Sequence, residues 1–282
     1  MIRLIASDMD GTLLDERSKV PPETFELIDG LYEQGVRFCV SSGRPYQFLA
    51  DVFAPVADRM DFVCSNGCHT VIEGKTVDRE LFSYQDVMAL ARLCEDFDNL
   101  HVIVRDVDDH AFLLDPPVKA LHYTRTLAEL WNDFPTPVTP LPTTNILTGF
   151  VADDRGQNVM DSAYVLTLEM GDRFTFSPTD NYSIDFMPHD VNKGTAIQVV
   201  MDHYGISPDE VVAYGDSMND YDILRLVGYP TAMSNALYAP KQAARRVIES
   251  NREHGVQKDM RRLLEELWAG GDGSATMRFG AR

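Results

Sequence analysis

The sequence predicts an α/β fold, a parallel sheet flanked by helices and interrupted by an inserted α+β domain. Four short apolar runs carry the first half of that reading, each ending in a small polar or acidic turn. Ile2-Arg3-Leu4-Ile5-Ala6-Ser7 leads into Asp8-Met9-Asp10-Gly11-Thr12, residues 36–40 into Ser41-Ser42-Gly43-Arg44, residues 61–64 into Ser65-Asn66-Gly67, and residues 210–214 into Gly215-Asp216-Ser217-Met218-Asn219-Asp220. Apolar runs of this length, bounded by turns and alternating with helical periodicity, read as buried parallel strands. The second half is a change of pattern between residues 83 and 187, where hairpin-like pairs of runs alternate with single helical stretches.

Taken in order, the first segment gives a strand over 2–7, a helix near 22–34 after Pro21, a strand over 36–40, a helix near 45–53 and a strand over 61–64. The insert gives a helix over 84–97, a hairpin of 100–105 with 110–115 across Asp108-Asp109, and a strand over 145–152. A helix over 156–170 and a hairpin of 172–177 with 181–187 complete it. The alternation then resumes with a helix from Lys193, a strand over 210–214, a helix near 219–227, a strand over 230–233, and helices near 238–245 and 256–268. This order places one domain inside another. Residues 1–82 and 188–269 form the outer domain, residues 83–187 the insert, and the glycine-rich 270–282 a flexible tail.

Composition narrows the function. With 282 residues and 44% apolar content, the chain can bury one or two ordinary cores. Its formal charge of −19 argues against nucleic-acid or membrane partners, which need clustered Lys and Arg. Arg44 and Lys193 sit inside the motif turns, so a small anion still has a place. The amino terminus enters a strand at once, with no signal-peptide pattern, and a cytoplasmic location is expected. The four cysteines lack metal-ligand spacing and read as structural thiols. None of the seven histidines has a catalytic context.

Asp8 and Asp10 stand at the mouth of an apolar strand, where aspartate is depleted and costly to bury unpaired. They point to a bound cation, a nucleophile, or both. In open α/β sheets the ligand crevice lies outside the carboxyl ends of the strands, so all four polar turns converge on one site. In order, Asp8-x-Asp10-Gly11-Thr12, Ser41-Ser42-Gly43-Arg44, Asn192-Lys193-Gly194 and Gly215-Asp216-Ser217-Met218-Asn219-Asp220 resemble the four motifs of the haloacid dehalogenase superfamily. The nearest resemblance is to its Cof-type phosphatases with a type IIB cap. It runs from about residue 2 to residue 267, and departs from the family only at Ser234, where Gly is usual, and His254, where an acid is common.

The resemblance implies a Rossmann-like parallel-sheet core with the insert as an α+β cap. It also implies roles. Asp8 is the expected nucleophile, since a carboxylate can attack phosphorus and split hydrolysis into two steps. Asp10 is the expected acid and base, protonating the leaving oxygen and then deprotonating water. Two anions repel, so a divalent cation is needed, and Mg²⁺ with its preference for oxygens is the expected cofactor. Asp8, the Asp10 carbonyl and Asp216 are its expected ligands, with Asn219 and Asp220 orienting ligands or waters. Residues 216–220 also read as a helix cap, and both readings hold together. Ser42 and Lys193 are expected to stabilise the phosphoryl group, with Gly43, Arg44, Asn66 and Asn219 contacting the substrate.

A small phosphorylated metabolite, such as a sugar phosphate, is the expected substrate, and the protein a monomer or small homo-oligomer. Specificity is expected in the insert, where the 177–182 hairpin loop is a candidate although such turn residues are more often only turns, and Asp185, on the strand returning to the core, has a structural reading. A phosphomutase using the same aspartyl-phosphate, and a binding protein that has kept the fold, stay open as alternatives.

Overall fold

The structure is a computed structural model describing residues 1–108, 110–114, 143–153, 159–179 and 181–270. Asp109 and Asp180 of the expected turns, residues 154–158 and the tail from 271 onward lie outside the described residues. In chain order the first elements are β1 (Leu4–Ser7), α1 (Glu23–Glu33), β2 (Arg37–Ser41), α2 (Tyr46–Val52), β3 (Met60–Cys64), β4 (His69–Ile72) and β5 (Lys75–Arg79). They are followed by α3 (Tyr84–Glu95), β6 (Leu100–Asp106), β7 (Ala111–Leu113), β8 (Ile146–Asp153), α4 (Val159–Met170), β9 (Phe174–Pro178) and β10 (Ser183–Pro188). The last are α5 (Lys193–Tyr204), β11 (Val211–Gly215), α6 (Tyr221–Leu226), β12 (Tyr229–Met233), α7 (Tyr238–Ala243), β13 (Arg246–Ile248) and α8 (Gly255–Gly270).

Two compact units result. One holds Met1–Asp78 with the described residues from Lys193 on, the other Arg79–Asn192. The first contains an eight-stranded sheet in the order β13-β12-β11-β1-β2-β3-β4-β5. From β13 to β3 each described pairing is parallel, and β4 turns antiparallel to β3. The central parallel strands are mostly apolar because both faces are covered, with Asp61 of β3 and Arg37 of β2 paired to each other. On β1, Ile5 joins one core with Phe38, Phe62 and Leu263, while Leu4 and Ala6 face the other with Cys39, Val63 and Ile197. All four cysteines are buried.

The β4–β5 hairpin and β13 are absent from the sequence reading. Glu73 and Gly74 join β4 to β5 with φ of 50° and 71°, the left-handed pair that a tight hairpin of matching twist requires. Glu at the first of these positions is an unusual choice, which hides the turn. β13 is three residues long and lies at an edge, too short for periodicity to register.

The second unit is an antiparallel sheet in the order β7-β6-β8-β10-β9. Val87, Leu90 and Cys94 of α3 and Ala163, Leu166 and Met170 of α4 pack on one core with Val102, Val104, Val151 and Ile184. Phe82, Phe174 and Phe186 cluster there, with centroids 5.1 to 5.8 Å apart. Among the described residues, no helix is long and apolar enough to cross a membrane.

Candidate active site

Register decides which turns meet. Ser7 pairs with Val40 on one side and Tyr214 on the other, and Ser41 pairs with Val63, so β1, β2, β3 and β11 end together. Asp8, Ser42, Ser65-Asn66-Gly67 and Asp216 follow those ends directly. Lys193 is the first residue of α5, which packs on the same unit.

The site is organised around the Lys193 ammonium. It lies 2.6 Å from Asp8 Oδ1 and 2.7 Å from Asp220 Oδ1, and the lysine is wholly buried. Asp220 Oδ2 accepts from the backbone N–H groups of Asp216 and Ser217 at 2.9 and 3.0 Å. Both oxygens of Asp220 are thus engaged by protein donors, which fixes Lys193 and the 216–220 turn together. Asp216 Oδ1 accepts from the Thr12 hydroxyl at 2.8 Å. Gly11 has φ +84°, and a Cβ there would lie 2.5 Å from Asp216 Oδ2. Only glycine lets the 8–12 turn approach Asp216 so closely.

Charge in this group is unbalanced. Burial pushes the Asp8 carboxyl well above its usual range, the neighbouring Asp220 adds to this, and Lys193 only partly opposes it. Burial and Asp220 likewise push Asp216 up to about 6. Burial would lower the Lys193 ammonium, but Asp220 and Asp8 outweigh it and hold the group protonated. Asp8, Asp216 and Asp220 bring oxygens within 4.8 Å of one another. Three carboxylates to one lysine, all hard oxygen donors, suit a divalent cation. Asn219 Oδ1 is a further buried oxygen with no protein donor. The other such group among the described residues, Asp106, Asp108 and His110, is exposed, and Asp106 spends both oxygens on its own turn.

The remaining expected residues line the β2 and β3 turns. Ser42 is buried, and its Oγ accepts from the Arg44 N–H at 3.2 Å, leaving the hydroxyl hydrogen for another acceptor. Gly43 lies against the Asn66 amide, 3.2 Å from where its Cβ would stand. Asn66 is buried at φ 54°, and its Oδ1 accepts from Asn219 Nδ2 at 3.0 Å. Asp10 and Arg44 form a pair of their own. The guanidinium donates from Nε to Oδ2 at 2.8 Å and from Nη2 to Oδ1 at 2.6 Å.

Several supporting residues carry no role in the sequence reading. Asn235 donates to the Gly11 carbonyl at 2.8 Å, Asn251 to Leu14 at 2.9 Å and Gln257 to Leu13 at 3.0 Å, so residues 11–14 are tied down from three later segments. Thr12 bonds Asp216, and the Phe48 ring lies under the Arg44 guanidinium carbon, 4.5 Å from the centroid. Thr12 had a visible signal, a hydroxyl directly after the Asp10-Gly11 turn; the amides are recognisable only through the tertiary fold.

The family model of the haloacid dehalogenase-like hydrolases matches residues 5–260. The chain belongs to this family. Within it, the chain is 30% identical over 273 residues to the 5-amino-6-(5-phospho-D-ribitylamino)uracil phosphatase of Escherichia coli (strain K12), covering 94% of this chain and 97% of that one. It is 27% identical over 251 residues to the HMP-PP phosphatase of Yersinia enterocolitica, covering 86% and 87%. Among solved structures, that of SMU.1108c from Streptococcus mutans UA159 superposes with a TM-score of 0.83 at 22% identity, over 94% of this chain and all of that one. The α/β core with its parallel sheet is thus a haloacid dehalogenase-like fold.

Proposed function

We propose that this protein is a Mg²⁺-dependent phosphatase that hydrolyses small phosphorylated metabolites, sugar phosphates foremost, through an aspartyl-phosphate on Asp8. The chain is a phosphoric monoester hydrolase by family, and the named relatives are phosphatases. The observation that carries the finer reading is Lys193, buried and bonded at once to Asp8 and Asp220. A binding site needs no such arrangement around a carboxylate.

In the proposed mechanism Lys193 holds Oδ1 of Asp8 and leaves Oδ2 to attack phosphorus. The phosphorus–oxygen bond to the leaving group breaks as the new bond forms, and Asp10 gives the departing oxygen its proton. Asp10, now a carboxylate, takes a proton from water. That water attacks phosphorus, and Asp8 is released with inorganic phosphate. Ser42 and the Gly43 backbone donate to phosphoryl oxygens, with Arg44, Asn66 and Asn219 completing the substrate contacts. Asp8, the Asp10 carbonyl and Asp216 would hold the cation, with Asp220 and Asn219 orienting its surroundings. When bound, Mg²⁺ offsets the repulsion between Asp8 and the phosphate.

Residues 83–187 are assigned the selection of substrate, and residues 1–82 with 188–269 the chemistry. The proposed setting is the cytoplasm, as a monomer or small homo-oligomer. Neither nucleic acid nor membrane is a proposed partner, in keeping with the charge of −19. The test is phosphate release from sugar phosphates, nucleotides and a chromogenic ester, with Mg²⁺ and with chelator. Release that stops with chelator, and that Asp8→Asn abolishes while the circular dichroism spectrum is kept, is the expected result. Turnover by Asp8→Asn would refute the covalent route.

A further inference from the structure

Arg44 is held on three sides. The edge of its guanidinium grips both oxygens of Asp10, and its Cζ lies over the Phe48 ring, 4.5 Å from the centroid. Its backbone N–H bonds Ser42 Oγ, which ties the pair to the turn assigned to the phosphoryl group. A carboxyl that protonates a leaving oxygen must present an oxygen to it, and here both oxygens of Asp10 are turned toward the arginine. An arginine fork fits a phosphate as well as it fits a carboxylate. The ring sits against the guanidinium carbon and the anion takes its N–H groups, so one anion can replace the other without loss of the Phe48 contact.

We infer that Arg44 is a positioning latch whose fork keeps Asp10 docked on the guanidinium until a phosphate group takes over the fork and frees the Asp10 carboxyl to face the leaving oxygen. The inference rests on the phosphatase reading of the same site. It makes Asp10 and phosphate competitors for one cation, which is a statement about binding and can be read without turnover.

Competition taxes the weaker occupant. If Asp10 holds the fork, phosphate binds only after displacing it, and its apparent affinity falls by that factor. The Arg44 side chain is one-third exposed and that of Asp10 one-half. For a bidentate pair at such exposure the factor is about three- to fivefold.

The experiment is calorimetric titration of inorganic phosphate into the full chain with Mg²⁺ present, for wild type, Asp10→Ala, Arg44→Met and the double variant. Asp10→Ala is expected to bind phosphate about three- to fivefold more tightly than wild type. In the Arg44→Met background the same substitution should gain less than about twofold, because no fork remains to release. Arg44→Lys keeps the charge without the fork, so it should retain most of the phosphate affinity and lose most of the coupling.

Equal gains in both backgrounds would show that Asp10 acts through its own charge, and would overturn the latch. No gain in either would overturn it as well. Failure of wild type to bind phosphate would also overturn it, while the phosphate-release assay judges the phosphatase reading separately.

Discussion

Replacing Lys193 by Met tests the electrostatic core of the site. The lysine is wholly buried, and its loss leaves Asp8 and Asp220 without the cation that each contacts within 2.7 Å. Breaking a buried pair by removing one partner typically costs about 3–5 kcal/mol. Here the cost has a ceiling, because a stranded carboxyl can take up a proton instead. Starting from the ordinary value of 3.8, holding that proton at pH 7 costs about 4.4 kcal/mol, and at pH 5 about 1.6 kcal/mol. Lys193→Met is therefore expected to destabilise its unit by about 4 kcal/mol at pH 7 and by less than half of that at pH 5. Guanidinium unfolding with chelator present, at both pH values, reads this as a shift in midpoint. Asp8→Asn in the same background should recover most of the pH-dependent part. A loss that is equal at pH 5 and pH 7, or one below about 1 kcal/mol at pH 7, would refute the reasoning.

Other expectations follow from the same geometry. The Asp216 carboxyl is raised, from 3.8 to about 6, so its contribution is stabilising at acid pH and is lost as pH rises through about 6. At about 1.4 kcal/mol per pH unit this amounts to about 2.4 kcal/mol between pH 4 and pH 7, by which chelated wild type should lose more stability than Asp216→Asn; Asp8, raised in the same direction, contributes to both. Added Mg²⁺ should raise the melting temperature of wild type at pH 7 and have little effect on Asp216→Asn, which calorimetry would detect. Gly11→Ala would place a methyl 2.5 Å from Asp216 Oδ2 at φ +84°, and should remove the Mg²⁺-dependent stabilisation while sparing the secondary structure seen by circular dichroism. Gly149→Ala meets the Phe186 ring at 2.3 Å, and should cost about 1–3 kcal/mol of stability by overpacking, measured by denaturant unfolding.

The strands that end at the site were legible because a strand covered on both faces is largely apolar, and its polar exit stands out. That is why Asp8, Ser42, Asn66 and Asp216 could be placed from sequence. Lys193 stood out as a cation at a helix start, where the dipole opposes it. What escaped were properties of pairs. Nothing in the spacing of Asp10 and Arg44 marks them as partners, because the contact depends on β1 and β2 lying side by side. The work of Asp220 was half legible, since a capping aspartate and an acid facing a lysine are the same residue here. His254, one of the two departures from the family pattern, adopts φ 59° and sets its ring against Glu23, 231 residues away in sequence.

Two buried acids elsewhere in the same unit, Asp61 and Asp259, show why the site is more than a structural ion cluster. Asp61 is met by Arg37 in a two-point contact. Asp259 is met by Arg246 and Arg262, and although burial alone would raise its carboxyl, these two arginines hold it below the usual range. Each is matched in charge or better. Asp8, Asp216 and Asp220 share one lysine, and two of the three carboxyls are driven upward. A fold selected for stability alone would neutralise that group or replace it with apolar side chains. Retaining an excess of buried negative charge makes physical sense where a cation and a phosphate complete the balance, so the imbalance itself separates Asp8, Asp216 and Asp220 from the acids that merely hold the fold.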